Sequence, residues 1–268
     1  MNGSESTMNR RSFLRAAAGM LVGAGLGSSA FAAADEEYDF LMARVKFQCN
    51  MKVRDNWNVF PGGERNLLSE FASIVRCRVK LPPDCNDNLP HSGRDEQFNA
   101  VVDLTDARQL RRYPFLFMTA SGSYTLSKDK KDNLLQYAHE GGFLYMDDCV
   151  CGINDDKDYF YRSSYTILQE VFGQDAVKDV PTSHEIFHNV FDLGRIGLPH
   201  IIGQYHSPKG VFIKDRLAVL LTSTDIHCGW VDRTGQWFGT GGKMGIGKHG
   251  HREAIMMGVN ILMYALSH

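Results

Sequence analysis

Phe143-Leu144-Tyr145-Met146-Asp147-Asp148 is the stretch on which the reading of the fold turns. Four consecutive apolar residues directly after Gly141-Gly142 are too short a run for a helix. An unbroken apolar run of that length marks a strand buried on both faces, as in a parallel sheet. Its abrupt stop at two aspartates puts carboxylates at the carboxyl end of the strand, where open α/β sheets bind ligands. Upstream, Ser127 to Glu140 is predicted to be a helix. Ser127 can cap it, Leu134, Leu135 and Ala138 form its apolar face, and Gly141-Gly142 ends it. Before that helix, Phe115-Leu116-Phe117-Met118 follows Pro114 and reads as a second buried strand.

The same alternation extends in both directions. Phe40 to Phe47 is a strand candidate. Gly62-Gly63 opens a helical run with Leu67, Leu68, Phe71, Ile74 and Val75 on one face. Residues 81–97 carry Pro82, Pro83, Asn86, Asp87, Pro90 and Gly93 and read as a loop. Tyr165 to Phe172 is predicted helical, Val211 to Leu221 a hairpin turning at Lys214-Asp215, and Arg252 to Leu266 a closing amphipathic helix. Short apolar runs alternating with helices imply an α/β fold of three layers, a mostly parallel sheet covered on both faces, with an antiparallel hairpin addition. No linker or repeat divides residues 35–268, which are expected to form one domain.

The N-terminus has a different character. Asn9-Arg10-Arg11-Ser12-Phe13-Leu14-Arg15 precedes a mildly apolar Ala/Gly-rich stretch from Ala16 to Ala34, and Ala30, Ala32 and Ala34 offer A-x-A cleavage sites. This resembles a twin-arginine (Tat) export signal, removed to leave a periplasmic or otherwise extracytoplasmic protein. No cysteine at the junction indicates a lipid anchor, and no later apolar run is long enough to span a bilayer. The 268 residues are 43% hydrophobic, 22% charged and 11% aromatic, which excludes a disordered tail protein. Six cysteines are too few for a disulfide scaffold. The net charge is -2; without Arg10, Arg11, Arg15 and Glu5 the rest carries 26 basic against 30 acidic residues, net -4. That balance speaks against nucleic acid or an anionic membrane surface as partner.

Several stretches together resemble the DUF4159 family: Tyr113 to Thr119, Leu126-Ser127, Leu134-Leu135, Gly141 to Asp148, His184-x-Ile186-Phe187-His188, Asp215-Arg216-Leu217, and Gly258 to His268. Asn56-Trp57 and Leu67-Leu68 fit the family's N-terminal part. The resemblance covers residues 39–268. It implies a flavodoxin-like, class I glutamine-amidotransferase-like fold and occurrence in the bacterial cell envelope, where an envelope protein would be the expected partner. It implies no specific activity.

Three segments could carry chemistry. In amidotransferase-like folds the nucleophile sits in the sharp turn after the strand corresponding to 143–148, which makes Asp148 and Cys149 catalytic candidates and Asp147 a binding candidate. Against a nucleophilic Cys149, the flanking residues are Asp148 and Val150 rather than glycines, and acidic neighbours raise a thiol pKa. The bland alternative is that the aspartates cap the following segment. Second, His184-Glu185-Ile186-Phe187-His188 spells H-E-x-x-H, which on a helix presents two imidazoles to a divalent metal with Glu185 as base. Pro181 bars a helical turn upstream, and no third ligand is evident. Third, Gly245-Ile-Gly247-Lys-His-Gly250 matches G-x-G-x-x-G but lacks its βαβ context; with His251 it forms a basic loop before a helix, able to hold an anion. Trp57 is a candidate wall of the site. The favoured expectation is a non-catalytic domain that binds a ligand or partner. The alternative is a metal-dependent hydrolase on His184, Glu185 and His188.

Overall fold

The computed structural model describes residues 38–84, 92–150, 158–231 and 247–268. The expected export signal, Cys85, Cys151 and Gly245 lie outside them. Seven strands form one sheet: β1 (Met42–Val45), β2 (Val101–Val102), β3 (Phe115–Ala120), β4 (Phe143–Asp148), β5 (Val177–Asp179), β6 (Lys209–Ile213) and β7 (Arg216–Thr222). Their spatial order is β2-β1-β3-β4-β7-β6-β5. The first five in that order are parallel, and β6 joins β7 and β5 by antiparallel pairing. The helices are α1 (Gly62–Val75), α2 (Ala107–Leu110), α3 (Lys128–His139), α4 (Tyr159–Phe172), α5 (Ile226–Val231) and α6 (His251–Ser267).

Every residue of β3 and β4 is buried, so both strands lie mid-sheet with helices on each face. Alternation along each strand divides them between two cores. Phe115, Phe117, Phe143 and Tyr145 point to the face covered by α1, α5 and α6, packing with Leu67, Trp230 and Leu262. Leu116, Met118, Leu144 and Met146 point to the other face, with Leu134 of α3 and Phe160, Ile167 and Leu168 of α4. Each such side chain contributes about 1.5–3 kcal/mol by leaving water, so the central strands hold both layers together. The hairpin of β6 and β7 turns at Lys214, whose φ of 56° is left-handed. Ser127 caps α3 as expected, its Oγ accepting the Lys130 N–H at 3.5 Å.

Helix α4 starts at Tyr159, six residues before the expected Tyr165. The cap explains the difference. Asp158 makes no cap bond with its side chain and has a φ of 34°. Asp148 instead accepts the Tyr161 N–H at 3.1 Å from the end of β4. A cap supplied by another element leaves no local signal. The aromatic run Tyr159-Phe160-Tyr161 is thereby drawn inward, with Phe160 and Tyr161 in the core.

Candidate functional site

The carboxyl ends of β1, β3, β4 and β7 meet on one edge of the sheet, and the aspartates of β4 lie there. Asp147 is fully buried. Its Oδ1 accepts the Thr222 hydroxyl at 2.6 Å and its Oδ2 accepts the His227 N–H at 2.8 Å. Burial pushes its carboxyl up to about 7, against the pull of those donors. Asp148 is also buried and holds the start of α4. Both carboxylates therefore tie the strand end to the following helices and present no face to solvent.

Cys149 is buried, with its Sγ 3.9 Å from Cys228 Sγ of α5. Its hydrogen bond with Cys228, and then burial, push the thiol well above its ordinary pKa. A protonated, enclosed thiol is a poor nucleophile. Asp225 completes a trio with these cysteines, their ligand atoms all within 4.8 Å of one another. Among the described residues it is the one cluster of three or more His, Cys, Asp or Glu side chains placed to share an ion.

The other sequence candidates lie apart from this trio in their contacts. Glu185–Phe187 is a single 3-10 turn capped by His184, not a helix presenting two imidazoles on one face. His184 Nδ1 accepts the Ile186 N–H at 3.2 Å, and the ring packs on Tyr264. His188 faces Asp192 Oδ1 at 2.9 Å through Nδ1 and the Thr182 carbonyl at 2.8 Å through Nε2, so both ring nitrogens are engaged. Glu185 pairs with His268 at 2.7 Å. His251 opens α6 with Nδ1 2.8 Å from the Gly229 carbonyl. Gly247 lies so close to the His200 and Ile201 carbonyls that a Cβ there would meet them within 2.2 Å, so the glycine serves chain packing. Trp57 is almost fully buried, its ring 5.7 Å from Phe98 with Lys46 Nζ 5.2 Å from the ring centre.

One polar centre has no counterpart in the sequence reading. Arg44, inside the apolar strand β1, is buried. Its Nε donates to Glu64 Oε1 of α1 at 2.7 Å. Its terminal nitrogens reach the Trp57 carbonyl at 2.6 Å, the Val59 carbonyl at 3.3 Å and His227 Nε2 at 3.2 Å. With Arg44 donating, His227 is the neutral acceptor, and burial followed by the Arg44 charge holds its pKa well below the usual value. An arginine in an otherwise apolar strand was the available signal.

The order β2-β1-β3-β4-β7 is the doubly wound 2-1-3-4-5 arrangement, in which the strand order reverses between β1 and β3. Ligands of such sheets bind outside that switch point. Two adjoining depressions lie there, of about 370 and 410 Å³. Phe47, Cys49 and Leu126 are the buried lining residues, and exposed Gln48, Asn50, Thr125 and Ser127 supply polar groups. Lys130 also lines the crevice and donates to Asp103 at 3.0 Å. Burial pushes the Cys49 thiol up to about 11, so it stays protonated.

This is a three-layer α/β domain with an open polar crevice at its switch point. The family model described as "Domain of unknown function (DUF4159)" matches residues 42–266, and the chain belongs to that family. No curated protein matches the chain.

Proposed function

We propose that the protein is an exported cell-envelope component whose single domain, residues 35–268, binds a small polar ligand or a segment of an envelope partner without catalysing a reaction on it. The observation that supports this reading is the switch-point crevice, lined by the hydrogen-bonding side chains of Gln48, Asn50, Thr125 and Ser127, with Lys130 and Lys52 at its margins, above an apolar floor. Amides and hydroxyls suit recognition, and the buried cysteines Cys49 and Cys149 are held as thiols. The 2-1-3-4-5 core supports the flavodoxin-like and amidotransferase-like comparison. A hydrolase built on His184, Glu185 and His188 is less well supported, because His188 has both ring nitrogens engaged within its own loop.

Nuclear magnetic resonance with a panel of saccharides, peptides and nucleotides tests the crevice. Amide shifts are expected to cluster at residues 47–53 and 123–130 and to vanish in Asn50→Trp, which fills the opening. Shifts scattered over the surface, or retained in that variant, overturn the reading.

Export is tested separately. Arg10→Lys with Arg11→Lys removes the pair that the Tat signal requires. The full-length precursor is expected to accumulate in the cytoplasm, with the mature form lost from the periplasmic fraction. Unchanged processing of that variant would argue against the Tat route. Among the described residues no helix is long and apolar enough to cross a membrane.

A further inference from the structure

Cys149 and Cys228 are far apart in sequence and meet because β4 and β7 pair in parallel, which sets the loop after β4 beside α5. Their sulfur atoms are 3.9 Å apart. Two thiolates sharing one tetrahedral zinc, at about 2.3 Å each, stand about 3.8 Å apart. Asp225 precedes Cys228 by three residues and supplies the third donor, all three ligand atoms lying within 4.8 Å of one another. Asp225 is fully buried; one carboxylate oxygen accepts the Val150 N–H at 3.2 Å, and the other has no hydrogen-bond partner. A buried acceptor left without a partner costs about 1–3 kcal/mol and calls for an explanation such as an ion.

We infer that Cys149, Cys228 and Asp225 form a structural site for one thiophilic divalent cation of the zinc class, which pins α5 to the end of β4. Two sulfur donors and one carboxylate select zinc over magnesium or calcium, which prefer all-oxygen sites. All three donors are buried, which keeps substrate from the ion's fourth position and fits a structural role over a catalytic one. In the metal-free chain the hydrogen bond with Cys228 and then burial favour the protonated form of Cys149, and burial favours the protonated forms of Cys228 and Asp225. A dication would let them ionise, releasing protons as it binds. A disulfide between Cys149 and Cys228 is the competing use of the sulfur pair. It would leave the Asp225 oxygen without a partner, which is why the metal is favoured.

The full chain, purified without a histidine tag and stripped with a chelator, is titrated with Co²⁺ and then Zn²⁺. The expected result is about one Co²⁺ per chain, with the visible bands of a tetrahedral site and thiolate-to-cobalt charge transfer in the near ultraviolet, displaced by one Zn²⁺. The charge-transfer band should be lost when Cys149→Ser and Cys228→Ser are combined, weakened in Asp225→Asn, and unchanged in Cys49→Ser, which alters a cysteine outside the trio. Absence of the band in the unaltered chain overturns the inference, as does its persistence in the variant that combines Cys149→Ser with Cys228→Ser. A mapped Cys149–Cys228 disulfide in freshly purified protein also overturns it. The cobalt spectrum of the unaltered chain decides the matter even if a variant fails to fold.

Discussion

An Arg44→Ala variant is expected to lose about 3–5 kcal/mol of folding free energy, because breaking a buried ion pair strands the remaining charge. For a domain of this size that lowers Tm by on the order of 10 °C. Arg44 joins four parts of the molecule: β1 that carries it, Glu64 of α1, the carbonyls of Trp57 and Val59, and His227 of α5. Its guanidinium also lies 4.8 Å from the ring centres of both Phe98 and Phe117. Alanine removes the cation and leaves the Glu64 carboxylate buried, with no guanidinium to offset its desolvation. Arg44→Lys is expected to fall between, since it keeps the charge and loses the planar fork that serves several acceptors at once. Urea unfolding followed by circular dichroism measures both. A loss below about 1 kcal/mol for Arg44→Ala would mean that the pair is relaxed by water and does not hold β1, α1 and α5 together.

The second large effect belongs to Trp230. Trp230→Ala is expected to cost about 3–5 kcal/mol, the usual range for removing a fully buried large aromatic side chain. The indole lies 5.3 Å from Phe117, 6.0 Å from Tyr145 and 5.5 Å from His227, ring centre to ring centre. Its Nε1 donates to the Ala254 carbonyl of α6 at 3.0 Å. Gly258 permits this approach, since a Cβ there would stand 2.9 Å from that nitrogen. Helix α5 has six residues, too few to persist without tertiary packing. Hydrogen exchange should therefore accelerate first at residues 225–231, ahead of β3 and β4. Trp230→Phe is expected to keep part of the stability by filling part of the cavity. Uniform acceleration across the sheet would show that α5 and the central strands open as one unit.

Particular elements show what was legible. β3, β4, α3, α6 and the hairpin of β6 and β7 are marked by features inside their own sequence: continuous apolar runs, a serine cap, a 3.6-residue stripe, a turn at Lys214-Asp215. β2, β5, α2 and α5 are two to six residues long, and their periodicity has too few repeats to register. The aspartates of β4 were legible as residues at a strand end. That they serve as caps depends on Thr222, His227 and Tyr161, which come from other elements. The sequence sets Cys149 beside Asp148 and Val150, whereas its sulfur contact is with Cys228.

By itself the sequence determined the α/β class, the order of its strongest elements and the position of two carboxylates at the end of a central strand. Those properties follow from hydrophobic periodicity and local turn chemistry, which act over a few residues. Only the tertiary structure decided that Arg44 meets Glu64 and His227, that Asp225 joins Cys149 and Cys228, and that the crevice opens between β1 and β3. These meetings depend on strand order, and strand order is set by which faces bury together across the whole chain, a choice no short window of residues contains.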